Sequence, residues 1–128
     1  MLTLAEFFEG NSQEDSIAPN QFGFGRPPLA EIYRRLAELE TCNDVAWVRV
    51  ALHDDTFTVR DDTFDGVIYG DSIVICTTTS TDEIERRLRA IDEDDGLESG
   101  VGDMSYTEHL CDMPPIPSGY RLTRMEWD

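Results

Sequence analysis

Residues Val45-Ala-Trp-Val-Arg-Val-Ala-Leu52 decide the fold class. Ala46, Val48, Val50 and Leu52 alternate with Val45, Trp47, Arg49 and Ala51, so one side is wholly apolar and the other mixed, the period of a strand. Downstream, Ser72 to Thr78 is continuously apolar or β-branched through Ile73, Val74, Ile75 and Cys76. That run is expected of a central strand covered on both faces. Upstream, Leu29, Ile32, Tyr33, Leu36 and Leu39 recur at helical spacing with Glu31, Arg34, Arg35 and Glu38 between them. This predicts an amphipathic helix over 28–41 that packs on the strands.

The remaining elements follow from local signals. Thr3 and Glu6 have capping-box spacing, which predicts a short helix from Leu4 to Glu9 ending at Gly10. Ser80 and Glu83 repeat that spacing, and Ile84, Leu88 and Ile91 extend a helical stripe over 81–92. Asp82 and Arg86, Glu83 and Arg87, and Glu85 and Arg89 are acid-first pairs four residues apart, which support a helix. A last strand is expected over 120–127, after Pro114, Pro115, Pro117 and Gly119. The tetrapeptide Asp-Asp-Thr-Phe at 54–57 returns at 61–64, consistent with a hairpin whose short strand lies near 56–60. The order is therefore α-α-β-(β)-β-α-β. We expect one α+β domain over 1–128, a small mixed sheet of three to five strands packed by two or three helices. Irregular segments are expected at 11–28 and 93–118.

Charge is the other strong signal. Twenty-seven acids face ten bases, all of them arginine, for a net charge of −17 on 128 residues. The surplus lies in three blocks: residues 1–25 carry −4, residues 53–71 carry −5, and residues 92–112 carry −8, while the segments between them balance. Net charge bears on partners and solubility rather than on fold. The arginines sit among acids, which argues against direct nucleic-acid binding, since phosphate contact needs unbalanced positive charge. Glu6 and Glu9 stand where a signal peptide would be apolar, and no apolar run approaches the roughly 18 residues of a membrane span. The reading is a cytoplasmic protein with no membrane partner. Cys42, Cys76 and Cys111, odd in number and widely spaced, fit reduced thiols.

Candidate chemistry is sparse. Asp61, Thr63, Asp65 and Gly66, with Ile68, match part of a calcium loop, but Ser72 stands where its bidentate glutamate is needed and the flanks read as strands. His53, Asp54 and Asp55, with Asp61, Asp62 and Asp65, could form a metal or His-plus-carboxylate site, against the plainer reading of a solvated turn. His109 and Cys111 lack the further ligands that zinc needs. Phe22-Gly-Phe-Gly-Arg-Pro-Pro28 runs into a helix N-terminus and could present N–H groups and Arg26 to an anion. It lacks a P-loop lysine, and the plainer reading has Phe22 and Phe24 plug the core or a partner while the prolines start the helix. No cofactor is expected.

The leading expectation is a non-enzymatic acidic binding protein, such as an inhibitor or immunity-type protein that covers a basic surface of a nuclease or other nucleic-acid-binding protein. Carboxylates compete for the arginines and lysines that hold phosphates, and they speed association. The contact residues would be Asp54, Asp55, Asp61 and Asp62 together with Asp92, Glu93, Asp94 and Asp95. The second group follows a helix C-terminus, where negative charge opposes the helix dipole. The alternatives are an enzyme using His53 and the Asp54–Asp65 cluster, and an acidic domain whose charge reflects solubility or salt.

Overall fold

The computed structural model describes residues 1–21, 23–53, 68–89, 99–104 and 112–127. In chain order it contains β1 (Leu2–Thr3), α1 (Leu4–Phe8), α2 (Leu29–Glu40), β2 (Val45–Leu52), β3 (Gly70–Thr77), α3 (Thr81–Arg89), β4 (Ser99–Asp103) and β5 (Arg121–Trp127). The alternation in β2 sorts its side chains as expected from Trp47 onward, whereas a register shift between Val45 and Trp47 turns Val45 into the helix-covered core and leaves Ala46 exposed. Val48 and Val50 enter one core with Ile73, Ile75 and Met125, beneath Leu4, Phe7, Leu29, Ile32, Leu36, Ile84 and Leu88 of the three helices. Trp47 and Ala51 face the other way and meet Val74, Cys76 and Leu122. The α+β class therefore holds.

β3 is covered on both faces, as its continuous apolar run predicts, and Ile73 through Cys76 are fully buried. Removing each such Ile side chain from water contributes roughly 1.5–3 kcal/mol. Helices cover one face. The other is screened by the segment that contains Met113 and Tyr120, which the indole N–H of Trp47 holds by donating to the Pro115 carbonyl at 3.1 Å. No helix among the described residues is long and apolar enough to cross a membrane.

Two expectations need correction. The sheet is not mixed: its order is β1-β2-β3-β5-β4, and every neighbouring pair is antiparallel. The helical crossover from β3 through α3 does return a strand parallel to β3, but that strand is β4, and β5 inserts between them. The result is a split β-α-β arrangement. The segment 93–118 is also not irregular throughout, since Ser99–Asp103 forms the edge strand β4. Among its described residues the segment 11–28 contains two short 3₁₀ turns, Glu14–Ser16 and Pro19–Gln21. The hairpin expected near 56–60 lies outside the described residues.

The caps match the local signals, and of the acid-first pairs expected in α3 Glu83–Arg87 forms, while Arg86 binds Glu83 three residues away. Thr3 Oγ1 accepts from the Glu6 N–H at 3.0 Å, and Glu6 Oε1 accepts from the Thr3 N–H at 2.9 Å. Ser80 Oγ accepts from the Glu83 N–H at 3.2 Å. Glu83 then binds both Arg86 and Arg87, and Glu31 binds both Arg34 and Arg35. These hydrogen bonds hold the Glu31 and Glu83 carboxyls at about 2. Arg87 forks onto Asp44 with contacts of 2.8 and 2.7 Å, which ties α3 to the start of β2 and lowers the Asp44 carboxyl.

The outer edge of β2 shows how few residues can close a sheet. β1 covers only Arg49 and Val50, so the edge near Val48 would lie open. Glu40, the last residue of α2, accepts from the Val48 N–H at 2.7 Å, while Arg49 donates to the Val48 carbonyl at 2.9 Å. An acid at a helix C-terminus opposes the dipole; here it is retained because it completes the sheet edge.

Two tests follow from these contacts. Glu40→Ala should lower stability by about 1 kcal/mol, because a strand N–H loses its acceptor; urea titration would measure this, and an unchanged midpoint would remove the edge role. On acidification, stability from Glu31 and Glu83 is fully present above their ordinary value of 4.5, and that from Asp44 above 3.8. Because the folded values are lowered, the contribution of the two glutamates is lost as pH falls toward about 2, and that of Asp44 is lost below its ordinary value, which circular dichroism across this range would follow.

Candidate functional site

The antiparallel register sends particular connections to particular ends of the sheet. Leu52 pairs with Gly70, and Ser99 pairs with Trp127, whose strand neighbour Glu126 pairs with Ser72. The chain therefore leaves β2 and enters both β3 and β4 at one end of the sheet. The segments 54–67 and 90–98 join the body there, their roots on β3 and β4 about 10 Å apart, two strand spacings. Together they hold Asp54, Asp55, Asp61, Asp62, Asp65, Asp92, Glu93, Asp94, Asp95 and Glu98 against Arg60 alone. These acids, with Thr63, Gly66, His109 and Cys111, lie outside the described residues.

At this end the described residues form a rim. The His53 N–H donates to the Tyr69 carbonyl at 2.8 Å and so extends the β2–β3 ladder. Arg124 binds Asp71 at 2.6 Å, Ser72 Oγ at 2.9 Å and Glu126 at 2.9 Å. Ile68, the apolar position of the calcium-like loop, is half-buried against the core, and that loop is flanked by strands β2 and β3 rather than by helices.

At the opposite end, described acids are engaged by arginine. Asp44 is engaged by Arg87, and Asp103 by Arg121 at 3.0 Å and by the Thr81 hydroxyl. Arg121 also donates to the Thr79 carbonyl. Of the ten arginines, eight make ion pairs within the described residues: Arg26, Arg34, Arg35, Arg49, Arg86, Arg87, Arg121 and Arg124. Their positive charge is thus matched inside the protein.

Arg26 differs from the sequence expectation of a guanidinium offered to an outside anion. Its side chain is almost wholly buried and is occupied by Glu14. The guanidinium donates to the Glu14 carboxylate, to the Glu14 carbonyl and, at 2.8 Å, to the Ile17 carbonyl. The same Glu14 carboxylate accepts from the Leu29 N–H at 3.1 Å, at the start of α2. The anion at this helix N-terminus is thus the protein's own. Pro28 caps the helix, as the run of prolines predicts. Phe24 is also not a core plug, being 84% exposed. Phe22 lies outside the described residues.

Among the described residues no group of three or more His, Cys, Asp or Glu side chains is placed to hold a metal ion. Cys42 and Cys76 are free thiols, and burial raises the Cys76 thiol, which fits its place in the second apolar cluster.

A family model matches residues 1–125, which span every helix and nearly all of the sheet. The chain belongs to the uncharacterized protein YfbO family. No curated protein and no solved structure matches it. Membership therefore brings no activity with it, and the chemistry of the site must be argued from its residues.

Sequence reasoning did not find the Arg26–Glu14 contact, because a separation of 12 residues across an irregular segment carries no periodic signal. Its importance is testable. Arg26→Met should cost roughly 3 kcal/mol, since it leaves two carbonyls and a carboxylate without their donor. Glu14→Gln, which keeps the shape, should cost about 1–2 kcal/mol. Thermal unfolding of both variants checks the order, and equal stability of Arg26→Met and the parent would remove the lock.

Proposed function

We propose that this protein is a non-enzymatic binding protein that uses its acidic sheet end against a basic protein surface, in the manner of an inhibitor or immunity-type protein that covers a phosphate-binding site. One observation carries the reading: ten of the 27 acids belong to two segments rooted at one sheet end, while the arginines elsewhere are matched internally. A salt adaptation spread over the whole surface would also load the helices and the far end of the sheet. Helix α3 instead carries three acids against three arginines, and Asp44 and Asp103 at the far end are each engaged by an arginine.

The mechanism is electrostatic. Clustered carboxylates attract arginine and lysine on the partner, raise the encounter rate, and occupy the groups that would otherwise hold phosphate. We place the protein in the cytoplasm, where Cys42 and Cys76 stay reduced. The contact residues on this reading are Asp54, Asp55, Asp61 and Asp62 from one segment and Asp92, Glu93, Asp94 and Asp95 from the other.

Affinity capture at low salt supplies the partner, and association kinetics at two ionic strengths supply the test. Changing either group of four to Asn or Gln should slow association about tenfold at low salt and leave dissociation nearly unchanged, with a smaller loss at high salt. Unchanged association in both quadruple variants would reject the proposal.

A further inference from the structure

Phe24 stands apart from the other described phenylalanines. Phe7 and Phe8 are buried, whereas Phe24 is 84% exposed; the other large apolar side chain exposed among the described residues, Ile116, is 40% exposed. We propose that Phe24 is the apolar anchor of the partner-binding surface and seats in an apolar pocket ringed by lysine and arginine on a protein partner. The inference rests on the acidic sheet end as the binding surface and supplies what those acids lack, a contact that holds the complex once it has formed.

The loop is built to present this ring. Gly23 and Gly25 on either side adopt φ of +85° and +99°, a backbone that L side chains rarely take, and a Cβ on either would meet nothing within 4 Å. The Phe24 N–H donates to the Gln21 carbonyl at 3.0 Å, and the Gln21 N–H donates to the Ala18 carbonyl at 2.9 Å. Two residues further on, buried Arg26 clamps the loop base to Glu14 and Ile17. An aromatic ring on a braced loop loses little conformational freedom on binding, which is the condition for an efficient anchor.

Its location joins it to the acids. Ile17, whose carbonyl Arg26 holds, packs on Gly70, where a Cβ would come within 3.1 Å of Ile17 Cγ1. Gly70 begins β3 and pairs with Leu52, so the base of the Phe24 loop sits at the sheet end where the acidic segments are rooted. Exposed Asp15 belongs to the same loop. An exposed apolar ring on so acidic a protein fits an apolar pocket among cations. It does not fit a second copy of this chain, whose matching end would carry the same negative charge.

The experiment places the photo-crosslinker p-benzoylphenylalanine at position 24 and, as a control, at Ile116, irradiates the producing cells, and identifies adducts by mass spectrometry. One basic protein should crosslink from position 24 and not from position 116. Kinetics with that purified protein should then show Phe24→Ala dissociating about tenfold faster or more, with association and thermal midpoint nearly unchanged. Phe24→Trp should retain slow dissociation. The absence of an adduct at 24, equal adducts at 24 and 116, or an unchanged dissociation rate in Phe24→Ala would overturn the anchor. If Phe24→Ala speeds dissociation but neither acidic quadruple variant slows association, the basic rim fails and the acidic reading fails with it, while the two effects remain separately visible.

Discussion

Ten guanidiniums are the whole cationic inventory of a chain with 27 carboxylates, and where each one is placed governs which parts of the surface stay negative. Most are committed to architecture. Arg87 joins α3 to the start of β2, Arg121 closes the far end of β5, and Arg34, Arg35 and Arg86 stay on their own helices. Arginine suits these tasks because its planar fork can reach two acceptors at once, as Arg87 does on Asp44. Exposed pairs of this kind contribute little stability each. Their larger consequence is electrostatic, because they offset much of the negative charge of the helices, while the connections at one sheet end, with ten acids against Arg60 alone, carry −9 of the net −17.

Arg26 shows the same residue type working in a buried setting. A buried guanidinium is costly unless its donors are satisfied, and here two carbonyls and a carboxylate converge on it. The contact fixes the path of residues 14–29, which would otherwise have only short 3₁₀ turns to hold it. It also sets the N-terminus of α2, because the Glu14 carboxylate serves both Arg26 and the Leu29 N–H. Ala18, at φ of +45°, sits within this path and is fully buried. Surrounding contacts must hold such backbone in place.

The sequence was most legible where the physics is local. The Val45–Leu52 alternation predicted both ends of β2, and the capping boxes at Thr3 and Ser80 marked helix starts because both partners lie within three residues. Strand β4, Ser-Gly-Val-Gly-Asp, was invisible because glycine and aspartate are poor strand formers and its order comes from pairing with β5, whose partner residues lie 20 to 28 positions away. Strand direction was equally hidden. A helix between two strands fixes their relative direction but not whether a third inserts, and β5 does so here. Of the candidate site, the charge blocks could be read from composition, whereas their shared root at one sheet end needed the register. Phe24 was noticed as part of an aromatic-glycine run, but only its exposure separates an anchor from a core plug.

Glu40 sharpens how acids at helix ends should be read. It opposes the α2 dipole, yet it is explained within the protein by the Val48 N–H it accepts. What sets Asp92 to Asp95 apart is therefore not the dipole but where their segment joins the sheet, at the start of β4. Two acidic segments rooted about 10 Å apart lie near the Debye length of physiological salt, about 8 Å, so their fields still partly add toward solvent. On the proposed reading, a molecule charged in this way is turned as it approaches a basic surface, with the acidic end leading. The Phe24 loop is based at that same end, so the orientation that speeds encounter also brings the ring forward, and attraction at distance and apolar contact at short range can act in sequence.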